Sequence, residues 1–125
     1  MEKTYRLRKS EQFQKVRNEG QSWSNPWLVL CALRNGLPYS RFGFTASRHL
    51  GPAVARNRAR RLMREAVRLR REALSPGWDL VLIARSPLRE ASFHEVNQAV
   101  EQLLKRARLL PGDQGARGPM AKDNG

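Results

Sequence analysis

Apolar positions along the chain alternate in some stretches and recur every three or four residues in others, and these two rhythms mark out its elements. In SEQFQKVRNEG (10–20), Phe13, Val16 and Arg17 share one face at helical spacing. Ser10 is suited to cap the amides that follow it, and Gly20 to end the helix in a left-handed conformation. WLVLCAL (27–33) and RFGFTAS (41–47) flank RNGLPYS, whose Asn35-Gly36 and Pro38 are turn residues, so they read as two antiparallel strands. In the first, Trp27, Val29, Cys31 and Leu33 point one way and Leu28, Leu30 and Ala32 the other. WDLVLIAR (78–85) follows a Pro76-Gly77 turn and is apolar on both faces, which predicts a central strand. Ser92 to Glu95 has the form of a capping box. It opens a helix whose stripe is Phe93, Val96, Val100, Leu103 and Ala107 and which stops by Pro111. The class is α+β, with helices packed on a small sheet.

The remaining periodic stretch, ARNRARRLMREAVRLRR (55–71), holds eight arginines and one glutamate. At about 100° per residue, Ala55, Ala59, Leu62, Ala66, Leu69 and Ala73 form a docking stripe, and Asn57, Arg61, Arg64, Arg68 and Arg71 fall opposite it. Gly51-Pro52 supplies the helix start, leaving free amides near Arg48 and His49 that can assist anion binding. A solvated helix interleaves both signs of charge, because like charges at spacings of three and four repel. Here only Glu65 and Glu72 relieve the arginines, and the planar guanidinium favours bidentate phosphate contacts. A polyanion is the expected partner of this face.

The whole composition agrees. In 125 residues there are 24 Lys and Arg against 11 Asp and Glu, a net charge of +13 that points to nucleic acid or an anionic surface. The N-terminus shows no apolar signal-peptide core, and the longest apolar runs are too short to span a bilayer. With Cys31 the only cysteine, no intrachain disulfide is possible, and His49 and His94 alone give no zinc-ligand spacing. A cytoplasmic protein is expected. Residues 1–110 read as one α+β domain, the RNA-binding one if the polyanion is RNA, and PGDQGARGPMAKDNG (111–125), rich in glycine and poor in apolar residues, as a disordered tail.

FTASRHLGPAVARNRARRLMREAV (44–67) resembles the signature of the bacterial ribonuclease P protein component. That pattern is a Ser with two basic residues, a Gly, Ala-Val, then Arg-Asn-Arg with further basic residues. Arg56, Asn57, Arg58, Arg60, Arg61 and Arg64 match it in order; Ser47, Arg48 and His49 match its opening, with His49 where lysine is commoner. LRKSEQFQKVRNEG (7–20) and WDLVLIAR are also similar to the family, so the likeness covers about residues 5 to 110.

The resemblance implies an αβββαβα sandwich around a small mixed four-stranded sheet. It adds an edge strand near Gln21 to Ser24 and a left-handed crossover through the arginine helix. It further implies a protein that assists a catalytic RNA, which removes the 5′ leader of precursor tRNA using magnesium held mainly by that RNA and the substrate. The RNA-binding residues are then Arg48, His49, Arg56, Asn57, Arg58, Arg60, Arg61, Arg64 and Arg68. A cleft between the first helix and the sheet takes the leader, with Phe13, Arg17 and Cys31 at family positions where aromatics are frequent. Of these, only Phe13 is aromatic here. Trp27 is added as a candidate for base stacking, although Trp23, Trp27 and Trp78 also fit a core. No membrane and no DNA partner is expected.

The chain's own residues point to no protein catalyst. The acids are scattered, and Asp79, the nearest candidate, opens a strand after a turn, where a structural role fits better. His94 belongs to the capping box. One rival reading is a ribosomal or other structural RNA-binding protein, which shares the charge and class but not the ordered Arg-Asn-Arg pattern. A DNA-reading module would mix Asn, Gln and Ser into its helix to read base edges.

Overall fold

Strand β4 (Trp78–Ala84) lies inside the sheet because both its faces are apolar and both are covered. The computed structural model describes residues 5–111; the expected tail lies outside them except for Pro111. The sheet order is β1-β2-β4-β3, with β1 (Gln21–Ser24), β2 (Leu28–Arg34) and β3 (Arg41–Ala46). β4 pairs antiparallel with β2 and parallel with β3. The two strands read as an antiparallel pair are therefore not neighbours. β4 separates them, and the long 35–40 connection spans the gap.

Three helices cover the sheet: α1 (Ser10–Glu19), α2 (Ala53–Arg68) and α3 (Phe93–Arg106). Residues paired across strands share a face. One face, with Leu28, Leu30, Phe42, Phe44, Leu80 and Leu82, packs on Met63 and Val67 of α2 and Val96, Val100, Leu103 and Leu104 of α3. On the other, Cys31 and Val81 are sealed by Val16 of α1 and by Leu7, with Phe13 against them. The chain is thus layered as helix, sheet and helix pair.

Local chemistry sets the element ends, not always as the pattern predicts. Ser10 is inside α1, not its cap. Gln12 reaches back instead, its Oε1 accepting from the Arg8 and Lys9 amides at 2.9 and 3.0 Å. Gly20 is extended (φ −85°) rather than left-handed. It is glycine because a Cβ there would collide with the carbonyl oxygens of Val16 and Ala32. The Ser92 box forms as expected: the Glu95 amide donates to Ser92 Oγ at 3.2 Å, and the Ser92 amide to Glu95 Oε1 at 2.9 Å.

Two further expectations are corrected. The docking stripe of α2 is rotated: Ala59 and Ala66 are buried, but with Met63 and Val67, while Leu69 is 55% exposed. Arg71 lies beyond the helix in a 3-10 turn, its guanidinium 4.4 Å from the Tyr5 ring centroid. Trp27 also leaves its expected face. Asn25 Oδ1 accepts from the Trp27 and Leu28 amides, so a turn ends the strand alternation there and the indole packs toward the α2 and α3 core.

Candidate nucleic-acid interface

Gly51, with φ 143°, turns the chain from a 3-10 turn (Arg48–Leu50) into α2, and Pro52 precedes the first helical residue. A side chain at Gly51 would strike Arg89, whose Nη1 lies 2.6 Å from where a Cβ would sit. Arg48 and His49 stay exposed at this entrance.

Beyond it the arginines divide by position. Asn57, Arg61 and Arg68 occupy the exposed ridge, together with Val54, which is 80% exposed. Arg68 shares its charge with Glu65 through a bidentate pair at 3.0 and 2.5 Å, which raises the arginine pKa and lowers that of the glutamate. The flanking arginines are half-buried. Arg56 Nη1 donates back to the Gly51 carbonyl at 2.9 Å. Arg58 reaches the other way, donating to the carbonyls of Arg89 and Ala91 at 3.3 and 2.9 Å. Arg70, its side chain 15% exposed, donates to Ala66 O and Asn97 Oδ1 and so ties α2 to α3.

Arg60 and Arg64 turn from the ridge toward β3. Arg60 donates to Asn57 Oδ1. The Arg64 guanidinium lies 5.7 Å from the Phe44 ring centroid, and burial, with repulsion from Arg6, Arg60 and Arg61, lowers its pKa. Both line a groove of about 390 Å³ with Arg6, Arg8, Phe13 and Gly43. Sequence reasoning passed over Arg6 and Arg8, which precede any periodic element; their signal is the alternation Arg6-Leu7-Arg8, realised as a bridge between Arg6 and Phe42 on the edge of β3.

On the α1 face, Ser22, Cys31, Val81 and Gly43 form one row across the sheet. The Phe13 ring sits over Gly43, where a Cβ would come within 2.5 Å of it. Arg17 is exposed one turn along α1. Cys31 is only 5% exposed; burial pushes its thiol pKa up, and the charge of nearby Arg17 partly opposes this. The next row, Ser24, Val29, Ile83 and Thr45, remains partly or fully exposed beside α1. Phe13, Arg17 and Cys31 are thus brought together, and Trp27 is not.

Asp79 is held structurally: Arg41 grips both its oxygens at 2.9 and 2.7 Å, and Asn35 Nδ2 donates to Oδ1 at 2.9 Å. Among the described residues no three His, Cys, Asp or Glu side chains converge as a metal cage. No helix among them is long and apolar enough to cross a membrane.

The ribonuclease P family model matches residues 1–108. The chain belongs to the ribonuclease P protein family. It is 48% identical over 113 residues to the ribonuclease P protein component of Roseiflexus castenholzii, covering 90% of this chain and 93% of that one. The RNase P protein of Staphylococcus aureus superposes with a TM-score of 0.79 at 29% identity, over 85% of this chain and 97% of the other. That of Thermotoga maritima gives 0.74 at 34%, over 81% and 96%. The chain is by this membership a protein subunit of the tRNA-processing enzyme ribonuclease P, and the mixed four-stranded sheet with three helices is the architecture of its family neighbours.

Proposed function

We propose that this protein assists a catalytic RNA in removing the 5′ leader of precursor tRNA in the cytoplasm. Two RNA-facing surfaces divide the task. The exposed ridge of α2, with Asn57, Arg61 and Arg68 and the Arg48-His49 entrance, meets phosphates of the RNA subunit. The face beside α1, with Phe13, Arg17 and the open row Val29, Ile83 and Thr45, receives the single-stranded leader. The observation that carries this reading is a family-matching helix with exposed arginines and only Glu65 to relieve them. Family membership disfavours the ribosomal alternative.

Magnesium is assigned to the RNA subunit and substrate, since among the described residues Asp79, Glu65 and Glu95 are engaged in ion pairs or a helix cap and no three acidic side chains gather into an oxygen cage. Phosphodiester cleavage is likewise assigned to the RNA. What the protein supplies is position and positive charge.

The test is reconstitution with a ribonuclease P RNA and precursor tRNA at low magnesium. Protein alone is expected to be inert, with leader removal appearing at the correct site when the RNA is added. Nuclease activity persisting in RNA-free protein, or no effect of the protein on the RNA's cleavage, would overturn the reading.

A further inference from the structure

Before α1 begins, the chain wraps over the free edge of β3. Tyr5 packs on the side of the sheet that faces α2 and α3, and Leu7 on the side that faces α1. Between them Arg6 bridges to Phe42, and the Leu7 amide donates to the Phe42 carbonyl at 2.8 Å. Arg6 and Arg8 stay exposed and line the groove beside Phe13. A single bridge is a weak tether for the segment that carries them, because one hydrogen bond does not offset the conformational entropy of several ordered residues. Leu7 anchors one end in the core; the other end depends on Tyr5.

The Tyr5 ring is gripped from two sides. The Arg71 guanidinium lies 4.4 Å from its centroid, and the Tyr39 ring meets it edge to face at 5.5 Å and 85°. Both partners belong to the framework. Arg71 sits in the 3-10 turn that follows α2. The Tyr39 carbonyl accepts from Asn35 Nδ2 at 3.2 Å, and Asn35 is tied in turn to Asp79 at 2.9 Å. Next to it, Ser40 Oγ donates to the Ser75 carbonyl at 2.8 Å and accepts from the Trp78 amide at 3.0 Å. The socket is thus fixed by bonds in which Tyr5 takes no part.

We propose that Tyr5 is a positioning residue: clamped between Arg71 and Tyr39, it holds the segment over the β3 edge and so fixes where Arg6 and Arg8 meet the substrate strand. It deepens the reading above and rests on it for the identity of that strand. Arg71 then has a task apart from RNA, its charge spent on a ring face. Charges already held in place pay less ordering cost when a ligand arrives, so the clamp acts on substrate affinity through two arginines that it does not touch.

The experiment uses the full chain with Tyr5→Ala, Tyr5→Phe and Arg71→Gln, each established as folded by a cooperative melt. Hydrogen exchange of the Leu7 amide is expected to quicken roughly five- to fiftyfold in Tyr5→Ala, the joint worth of a cation–π and an edge-to-face contact. In Arg71→Gln it should quicken roughly two- to fivefold, for the cation alone. Tyr5→Phe keeps the ring and should match wild type. Each variant is then reconstituted with a ribonuclease P RNA and given precursor tRNA with a ten-nucleotide leader, or with a leader cut to one nucleotide, which offers no strand to hold. Tyr5→Ala should raise KM for the long leader roughly two- to tenfold, the cost of ordering a long side chain at binding, with kcat and the short-leader substrate unchanged and with wild-type behaviour restored by Tyr5→Phe. Unchanged Leu7 exchange in Tyr5→Ala, equal losses on both leaders, or a Tyr5→Phe variant as impaired as Tyr5→Ala overturns the proposal. If wild-type protein leaves the RNA's cleavage of both substrates unaltered, the functional reading fails instead, while quickened Leu7 exchange still establishes the clamp.

Discussion

Arg58 and Arg61 both stand in the arginine signature, yet their surroundings give them different work. Arg58 bridges to the carbonyls of Arg89 and Ala91, so Arg58→Ala removes charge-assisted bonds worth about 1 to 2 kcal/mol. Thermal melting should show a fall of roughly 5 to 10 °C. Arg61 is exposed, and Arg61→Ala should leave the melt within about 0.5 kcal/mol of wild type while weakening the RNA subunit. Equal melting of the two variants would contradict the Arg58 bridge. Cys31 gives a second test at this scale. Burial raises its pKa above the ordinary 9.0, so the folded state keeps its proton where the unfolded state has lost it. Stability is therefore unaffected below pH 9 and declines as pH rises from there through the folded pKa. Thiolate absorbance at 240 nm should titrate above 9.0 in folded protein, and Cys31→Ala should remove this contribution to alkaline destabilisation.

Element by element, legibility follows how much of the signal is local. The Ser92 box and the two-faced apolar run of β4 carry their reasons within a few residues, and both hold in the structure. Pairing does not: that β4 separates β2 from β3 depends on which faces find cover, and no single strand records it. The α2 stripe was misplaced for a related reason. Alanine marks either a close approach or an indifferent surface, so a stripe drawn through alanines was pulled toward Leu69 and away from Met63 and Val67. The chemistry of the interface was legible because arginine at that density has few other uses. What most guanidiniums touch was not, since Arg89, Ala91 and Phe44 meet α2 only through the fold. The corrected register predicts that Val67→Asp unfolds the domain by burying an unpaired charge and that Leu69→Asp leaves a native circular dichroism spectrum and a cooperative melt. The opposite outcome would restore the alanine-based register.

Across the whole molecule the question is where the charge excess of +13 is left uncompensated. Three acids hold the framework: Asp79 on Arg41, Glu101 near Arg70 and Lys105, Glu95 in a helix cap. Only Glu65 lies among the α2 arginines, and it answers Arg68. The ridge and the Arg60–Arg64 groove therefore keep a positive field that framework pairs do not cancel. Counterion release makes such binding steeply salt-dependent. If the RNA subunit engages about six to ten phosphates, affinity should fall by roughly three to five decades between 50 and 200 mM salt. The slope is also divisible by position. Arg61→Ala should reduce it by about one contact. Arg58→Ala should leave it nearly unchanged while lowering the melting point, because that guanidinium is already spent on carbonyls. Binding isotherms over a salt series for the two variants give the comparison directly. A slope reduced equally by both would mean that Arg58 leaves its carbonyl partners to meet phosphate, and that α2 presents one continuous charged face instead of a ridge with structural flanks.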